Sequence, residues 1–122
     1  MSSIFLKSQS TIVIPSTALS GTAVTTAPVP CGNYRKATLI QRTTAVAGTS
    51  PSLAMKLQGS PDGTAWDDVA SGGFSAKTTN SGLEKLSGLD ISGYTQLRLN
   101  YTVTGSAAPT VTAQVDMQLY QV

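Results

Sequence analysis

The sequence predicts an all-β fold: a single antiparallel β-sandwich with jelly-roll-like or other Greek-key topology. Apolar and polar residues alternate in several segments, turn-forming residues separate these segments, and no window has apolar residues at helical spacing. The clearest strand runs from Thr95 to Thr104, where every second residue from Leu97 to Val103 is apolar. About eight short strands of this kind are typical of sandwiches and jelly rolls.

The same period of two marks the other predicted strands. The strongest are Thr110–Val122 and Ser52–Gln58, each with one apolar and one polar face. Glycines flank the best helical candidate, so we expect almost no helix. Weaker strand signals mark Ile4–Ser8, Thr11–Ile14, Gly21–Thr26, Lys36–Thr44 and Leu83–Leu86, with short strands at Trp66–Val69 and Phe74–Lys77.

A tight turn is predicted at residues 60–63, Ser-Pro-Asp-Gly. Pro61 occupies the second turn position, where its fixed φ fits, Asp62 follows, and Gly63 can adopt a positive φ. The turn predicts a hairpin that joins the strand Ser52–Gln58 to the segment containing Trp66. We expect Trp66 to fill the core beneath this hairpin.

Two segments about sixty residues apart resemble each other. Thr44–Leu53 and Tyr101–Val111 each contain a strand, a Gly-Ser or Gly-Thr connection followed by proline, and a second alternating strand. Each segment is therefore interpreted as a hairpin. Two such hairpins predict a sandwich with approximate two-fold symmetry rather than a repeat array.

The length of 122 residues fits one domain with one hydrophobic core. We expect residues 31–122 to form the sandwich core and residues 1–30 to form edge strands or an extended arm. An arm would become ordered on a neighbouring subunit, and Ile4, Phe5 and Leu6 are its candidate interface residues. Tyr120, on the polar phase of the last strand, is the other candidate interface anchor.

Charge is scarce in this chain. Charged residues make up 11% of the sequence, against about 25% in a typical soluble domain. A surface of hydroxyls and small side chains has little of the charge repulsion that keeps monomers apart, which favours packing against copies of itself or a larger assembly. The net charge of +2 comes from scattered basic residues, so we expect no nucleic acid partner.

Targeting signals are not evident. The first seven residues lack the basic region and long apolar run of a secretory signal. No stretch approaches the roughly 20 apolar residues of a membrane helix. We therefore expect synthesis in a cytoplasm, no export by the usual route and no membrane partner.

The residue inventory offers little for catalysis. The sequence has no histidine and a single cysteine, Cys31, which excludes histidine-dependent triads, thiolate metal clusters and an intrachain disulfide. We expect neither an enzyme nor a cofactor, and we interpret Cys31 as a free thiol. A calcium loop at Asp62, Asp67 and Asp68 is left open as an alternative, although the spacing differs from that of an EF-hand.

Four segments together resemble small β-sandwich virion proteins of tailed bacteriophages: Tyr34–Leu39, Gly48–Leu53, Leu57–Trp66 and Leu97–Gly105. The resemblance extends from about Tyr34 to the C-terminus. It implies a structural protein of the virion, made in the host cytoplasm, and specifically a capsid decoration (cement) protein that stabilises the head shell. It further implies a homo-oligomer, with a trimer favoured, and the major capsid protein as partner.

Two other functions remain open from the sequence. The first is a tail, fibre or head-spike component of the same kind of particle. The second is a carbohydrate-binding, adhesin-like module, which needs an exposed aromatic platform, and Trp66 is its single candidate. Replacing Trp66 by alanine separates this role from a core role, because only a core residue would be required for folding.

Overall fold

The computed structural model describes residues 8–80 and 82–121, and it confirms the all-β class. Apolar alternation places the strands much as predicted, and no helix occurs within the described residues. Seven strands lie in this part of the chain: β1 (Ser8–Leu19), β2 (Val24–Thr25), β3 (Val29–Pro30), β4 (Lys36–Ser60), β5 (Asp67–Gly73), β6 (Gly82–Asp90) and β7 (Gln96–Tyr120).

Two very long strands, β4 and β7, form the centre of one antiparallel sheet. They pair along their whole length, from Lys36 opposite Tyr120 to Ser60 opposite Gln96. In the first half of the sheet, β1 flanks the end of β7 and β6 flanks the start of β4. In the second half, β2 and β3 flank the start of β7 and β5 flanks the end of β4.

The chain is an intertwined duplication of one structural unit. Strand pairings recur at positions sixty residues apart: Val29 pairs with Leu97 as Ala37 pairs with Leu89. The unit β1-β2-β3-β4 thus corresponds to β5-β6-β7, and each half of the sheet contains strands from both units. The approximate two-fold relation predicted from two similar segments is present. It relates the two whole units and not only those segments.

The two predicted hairpins near Gly48 and Gly105 are wrong. Each pair of short strands is one continuous strand that bends at the glycine and keeps pairing with the same neighbour. Both glycines have positive φ, +93° for Gly48 and +133° for Gly105, and register shifts occur beside them. A β-bulge changes the direction of a strand without reversing it, and β4 and β7 each bend in this way at their glycine.

The bends fold the sheet over a single core. The Gln41 amide nitrogen in the first part of β4 lies 3.5 Å from the Met55 sulfur in its second part. A straight strand would place two residues 14 positions apart about 46 Å from each other. β4 therefore bends until side chains of its two parts meet in the core, whereas two separately hydrogen-bonded sheets and a jelly-roll strand order are not confirmed.

Apolar side chains of both halves fill the space inside the bend. The core includes Leu39, Leu57, Leu99 and Met117, each at most 1% exposed. Gln41 and Thr43 lie on the same inward face of β4, and the Gln41 Oε1 and Thr43 Oγ1 atoms have no hydrogen-bond partner. The alternating pattern did not predict these two buried polar side chains.

The N-terminal residues take part in this core. β1 lies at an edge of the first half, and Ile14 and Leu19 on β1 and Val29 on β3 are buried with the central strands. The predicted strand Ile4–Ser8 lies outside the described residues except for Ser8, as do the interface candidates Ile4, Phe5 and Leu6.

Candidate functional site

The first outer face is the solvent side of the first half of the sheet. Strand register places Ile12 beside Asp116 and Asp116 beside Ile40, with Ser10, Gln118 and Thr38 in the next row. These residues surround a shallow depression of about 260 Å³. Ile12 is 60% exposed, and no described residue of β1 is charged.

Tyr120 lies on this first outer face, between Ser8 and Lys36. Its side chain is half-buried, and its hydroxyl lies 3.4 Å from the Thr38 hydroxyl. Tyr120 therefore faces outward, as the strand phase predicted, but its half-buried side chain lies against Thr38 rather than protruding as an anchor.

The second outer face occupies the equivalent positions in the other half and has a different chemistry. Gln58 donates a hydrogen bond to Asp68 over 3.1 Å and accepts one from the Arg98 guanidinium over 3.0 Å. Lys56 contacts the other oxygen of Asp68 at 3.1 Å. These contacts lower the pKa of Asp68, with the Gln58 hydrogen bond as the largest cause.

Trp66 belongs to the second outer face and not to the core. Its side chain is half-buried, and the Arg98 guanidinium carbon lies 4.2 Å from the ring centroid. A cation this close to an aromatic face is attracted by the ring quadrupole. The expectation that Trp66 fills the core beneath the hairpin is therefore wrong; Tyr94 instead packs over the end of β4, where a Cβ on Gly59 would lie 2.5 Å from its ring.

The predicted turn joins β4 to β5, and the turn residues satisfy the backbone. The Asp62 carboxylate accepts hydrogen bonds from the backbone nitrogens of Thr64, at 2.8 Å, and Ala65, at 3.0 Å, and these bonds lower its pKa. The Ser60 hydroxyl accepts one from the Gly63 nitrogen at 2.7 Å. Since Asp68 contacts Lys56 and Gln58, two of the three carboxylates considered for calcium, Asp62 and Asp68, serve separate local networks.

A buried ion pair joins the chain after β5 to β6. The Lys77 ammonium contacts Glu84 and also donates to the Ser75 carbonyl over 2.8 Å. The Lys77 side chain is only 7% exposed. The sequence analysis missed this pair, because Lys77 ended a predicted short strand and Glu84 lay in another, with nothing to indicate that the two strands meet.

Cys31 is buried at the tight turn before β4, where its thiol donates to the Tyr94 carbonyl over 3.4 Å. Burial raises the pKa of the thiol from 9.0 to about 11. A protonated, enclosed thiol is a poor nucleophile and a poor metal ligand. The interpretation of Cys31 as a free thiol agrees with this environment.

The raised pKa of Cys31 predicts a loss of stability in alkali. Between about pH 9 and pH 11 the unfolded chain releases a proton that the folded chain retains, so the free energy of unfolding falls as the pH rises. We expect a loss of about 2 kcal/mol that Cys31→Ala does not show. Urea unfolding of both proteins across this range measures the difference; parallel pH profiles would contradict the burial of the thiol. Burial also raises the pKa of Tyr101. Because Tyr101 titrates in both proteins, it does not contribute to the difference between them.

No group of three or more His, Cys, Asp or Glu side chains within the described residues is arranged to hold a metal ion. No helix formed by those residues is long and apolar enough to cross a membrane.

The described residues thus define an all-β chain built from two intertwined units, with a shallow depression on one outer face and a polar network on the other. Its fold is similar to that of the SPBc2 prophage-derived protein YomS, known from a crystal structure. The TM-score is 0.58 at 14% sequence identity, and the similarity covers 99% of both chains. At this identity the similarity shows a shared fold. No protein-family model and no curated protein matched the sequence.

Proposed function

We propose that this chain is a structural protein of a bacteriophage particle, most specifically a capsid decoration protein that binds and stabilises the head shell. The observation that carries the proposal is the similarity in fold, over 99% of both chains, to a prophage-derived protein. The four sequence segments that resemble small phage virion proteins independently support the same class. The partner is then the major capsid protein, and the protein resides in the virion after synthesis in the host cytoplasm.

The two outer faces suit binding to a large protein surface. The first has Asp116 at its centre and the basic residues Lys36, Arg42 and Lys85 around it, and the second presents preformed polar groups held in place by Gln58 and Asp68. Flat strand faces of this kind supply contact area but little affinity at any one site. An oligomer that touches several shell subunits at once converts such contacts into strong binding.

The composition of the particle tests this proposal. We expect the chain in gradient-purified particles of the phage that encodes it, in a copy number comparable to that of the shell protein. Electron microscopy with an antibody label should place it on the head. A label on the tail or spike, with few copies, would instead support the tail or spike alternative. Complete absence from purified particles would refute a virion role.

A carbohydrate-binding role is the second candidate, and the position of Trp66 favours it. An aromatic ring outside the core, next to Arg98, Gln58 and Asp68, combines a stacking surface with hydrogen-bond donors and acceptors. Sites for polar ligands commonly combine a few such groups with aromatic side chains. Arg98 covers one face of the ring, so a sugar would stack on the other face or displace the guanidinium.

Replacing Trp66 by alanine separates this second role from folding. Because Trp66 packs outside the core, we expect Trp66→Ala to lower the free energy of unfolding by only about 1 kcal/mol. The buried Leu57→Ala should cost about 3 kcal/mol as the matched control. Chemical unfolding gives both values, and a glycan array gives binding. Glycan binding by the wild type that Trp66→Ala abolishes would favour the carbohydrate-binding module; no binding by the wild type would remove it.

A further inference from the structure

The two structural units are equivalent residue by residue along most of their pairings. The first unit comprises β1 to β4 and the second comprises β5 to β7. Residues sixty positions apart in the sequence occupy equivalent places in the two halves of the sheet. Two such recurrences are Val24–Tyr101 with Glu84–Gln41, and Pro30–Gln96 with Asp90–Lys36. Every one of these pairs joins the first unit to the second.

The tight turns before β4 and β7 repeat the same hydrogen bond between the units. The Cys31 nitrogen in the first unit donates to the Thr95 carbonyl in the second over 2.9 Å. The equivalent Ile91 nitrogen in the second unit donates to the Arg35 carbonyl in the first, also over 2.9 Å. Each unit therefore gives the other the contact that it receives, as the subunits of a two-fold dimer do.

The covalent connection between the units is separate from the core that holds them together. It is the turn 61–66, which is mostly exposed, and the Asp62 carboxylate accepts its hydrogen bonds from backbone nitrogens of the turn itself. By contrast, Leu57 on β4 lies opposite Leu99 on β7, and both side chains are fully buried. The apolar burial that joins the units thus lies outside the turn that connects them.

We propose that the first unit of one molecule binds the second unit of another copy of this chain, so that the protein exchanges units between molecules. The surface on each unit already fits the other unit, which identifies a second copy as the partner. Exchange keeps every pairing between β4 and β7, and only the turn 61–66 takes a different path. It is a property of the purified chain and does not depend on the function proposed above.

Two full-length variants, each with one damaged unit, test the exchange. Leu39→Asp damages the first unit and Leu99→Asp damages the second at the equivalent position; both leucines are 0% exposed. An unpaired carboxylate in the core removes the marginal stability of a small domain, so we expect neither variant to fold alone. Diluted together from urea, they should recover about half of the wild-type circular dichroism per chain, because every two chains contain one intact pair of units.

The control mixture contains Leu39→Asp and Leu57→Asp, which both damage the first unit and leave no intact first unit to pair. We expect no recovery from this control. Recovery in the test mixture alone, in particles that contain both chains, is the result expected of exchange. A test mixture that stays as unfolded as its two components, or equal recovery in the control, would overturn the proposal.

Deletion of the turn 61–66 provides a second test by light scattering. Gly59 pairs with Asp67, so the deletion leaves Ser60 alone between them, whereas a hairpin loop needs at least about two residues. We expect a folded protein of twice the wild-type mass, in which each second unit pairs with the first unit of the other copy. Replacing the same residues by glycine and serine keeps the length and should keep the wild-type mass. A folded deletion variant of wild-type mass, or doubling of the mass by the replacement, would contradict the exchange.

Discussion

Replacing Gly105 by alanine will lower the free energy of unfolding by about 3 kcal/mol. A Cβ at this position would lie 2.8 Å from the Thr49 carbonyl oxygen and 2.9 Å from that of Ser50. These are backbone atoms of the paired strand, so they cannot rotate away. The φ of +133° adds strain, because side chains rarely adopt it.

A matched glycine separates this effect from the general cost of adding a methyl group. A Cβ on Gly73 in β5 would meet no atom within 4 Å, and its φ is not positive. Gly73→Ala should therefore change the free energy of unfolding by less than about 0.5 kcal/mol. Urea unfolding of both variants provides the comparison. Equal stabilities would show that β4 and β7 do not bend against each other at Gly105.

Replacing Glu84 by leucine will destabilise the fold by a similar amount, about 3 kcal/mol. The change removes the carboxylate that balances the Lys77 ammonium, which is 7% exposed and would keep only the Ser75 carbonyl as a partner. It also removes the acceptor for the Ser75 backbone nitrogen. An uncompensated buried charge is more costly than the pair itself is stabilising.

Two further variants test this explanation by chemical unfolding. The double variant Glu84→Leu with Lys77→Met should recover most of the loss, because it removes the buried charge together with its partner. Lys56→Met breaks the Lys56–Asp68 pair, whose side chains are 46% and 59% exposed, but leaves the Gln58–Asp68 hydrogen bond in place, so it should change stability little. If the double variant is no more stable than Glu84→Leu alone, the unpaired charge is not the cause.

Local sequence patterns were sufficient for the class of fold and for individual strands. Alternation identified the inward faces of β4 and β7, and Pro61 with Gly63 identified the turn between β4 and β5. These features depend on neighbouring residues, so the sequence contains the information directly. The recurrence sixty residues apart was also visible, because the two units retain similar residues around their glycines.

Features that depend on distant partners could not be predicted. A glycine followed by proline is usually a turn signal, yet pairing with the whole length of β7 keeps β4 continuous through Gly48. Trp66 follows a turn and was assigned to the core, but Arg98, thirty-two residues later, holds it on the outer face. The Lys77–Glu84 pair and the buried Gln41 likewise depend on how the sheet folds over itself.

Co-sedimentation with empty heads tests the central claim of a shell-binding structural protein most directly. The purified chain is mixed with heads of the phage that encodes it, the heads are pelleted, and their unfolding temperature is measured by calorimetry. Our account predicts that the chain pellets with the heads, reaches saturation and raises their unfolding temperature. A chain that remains in the supernatant and leaves the unfolding temperature unchanged would contradict it.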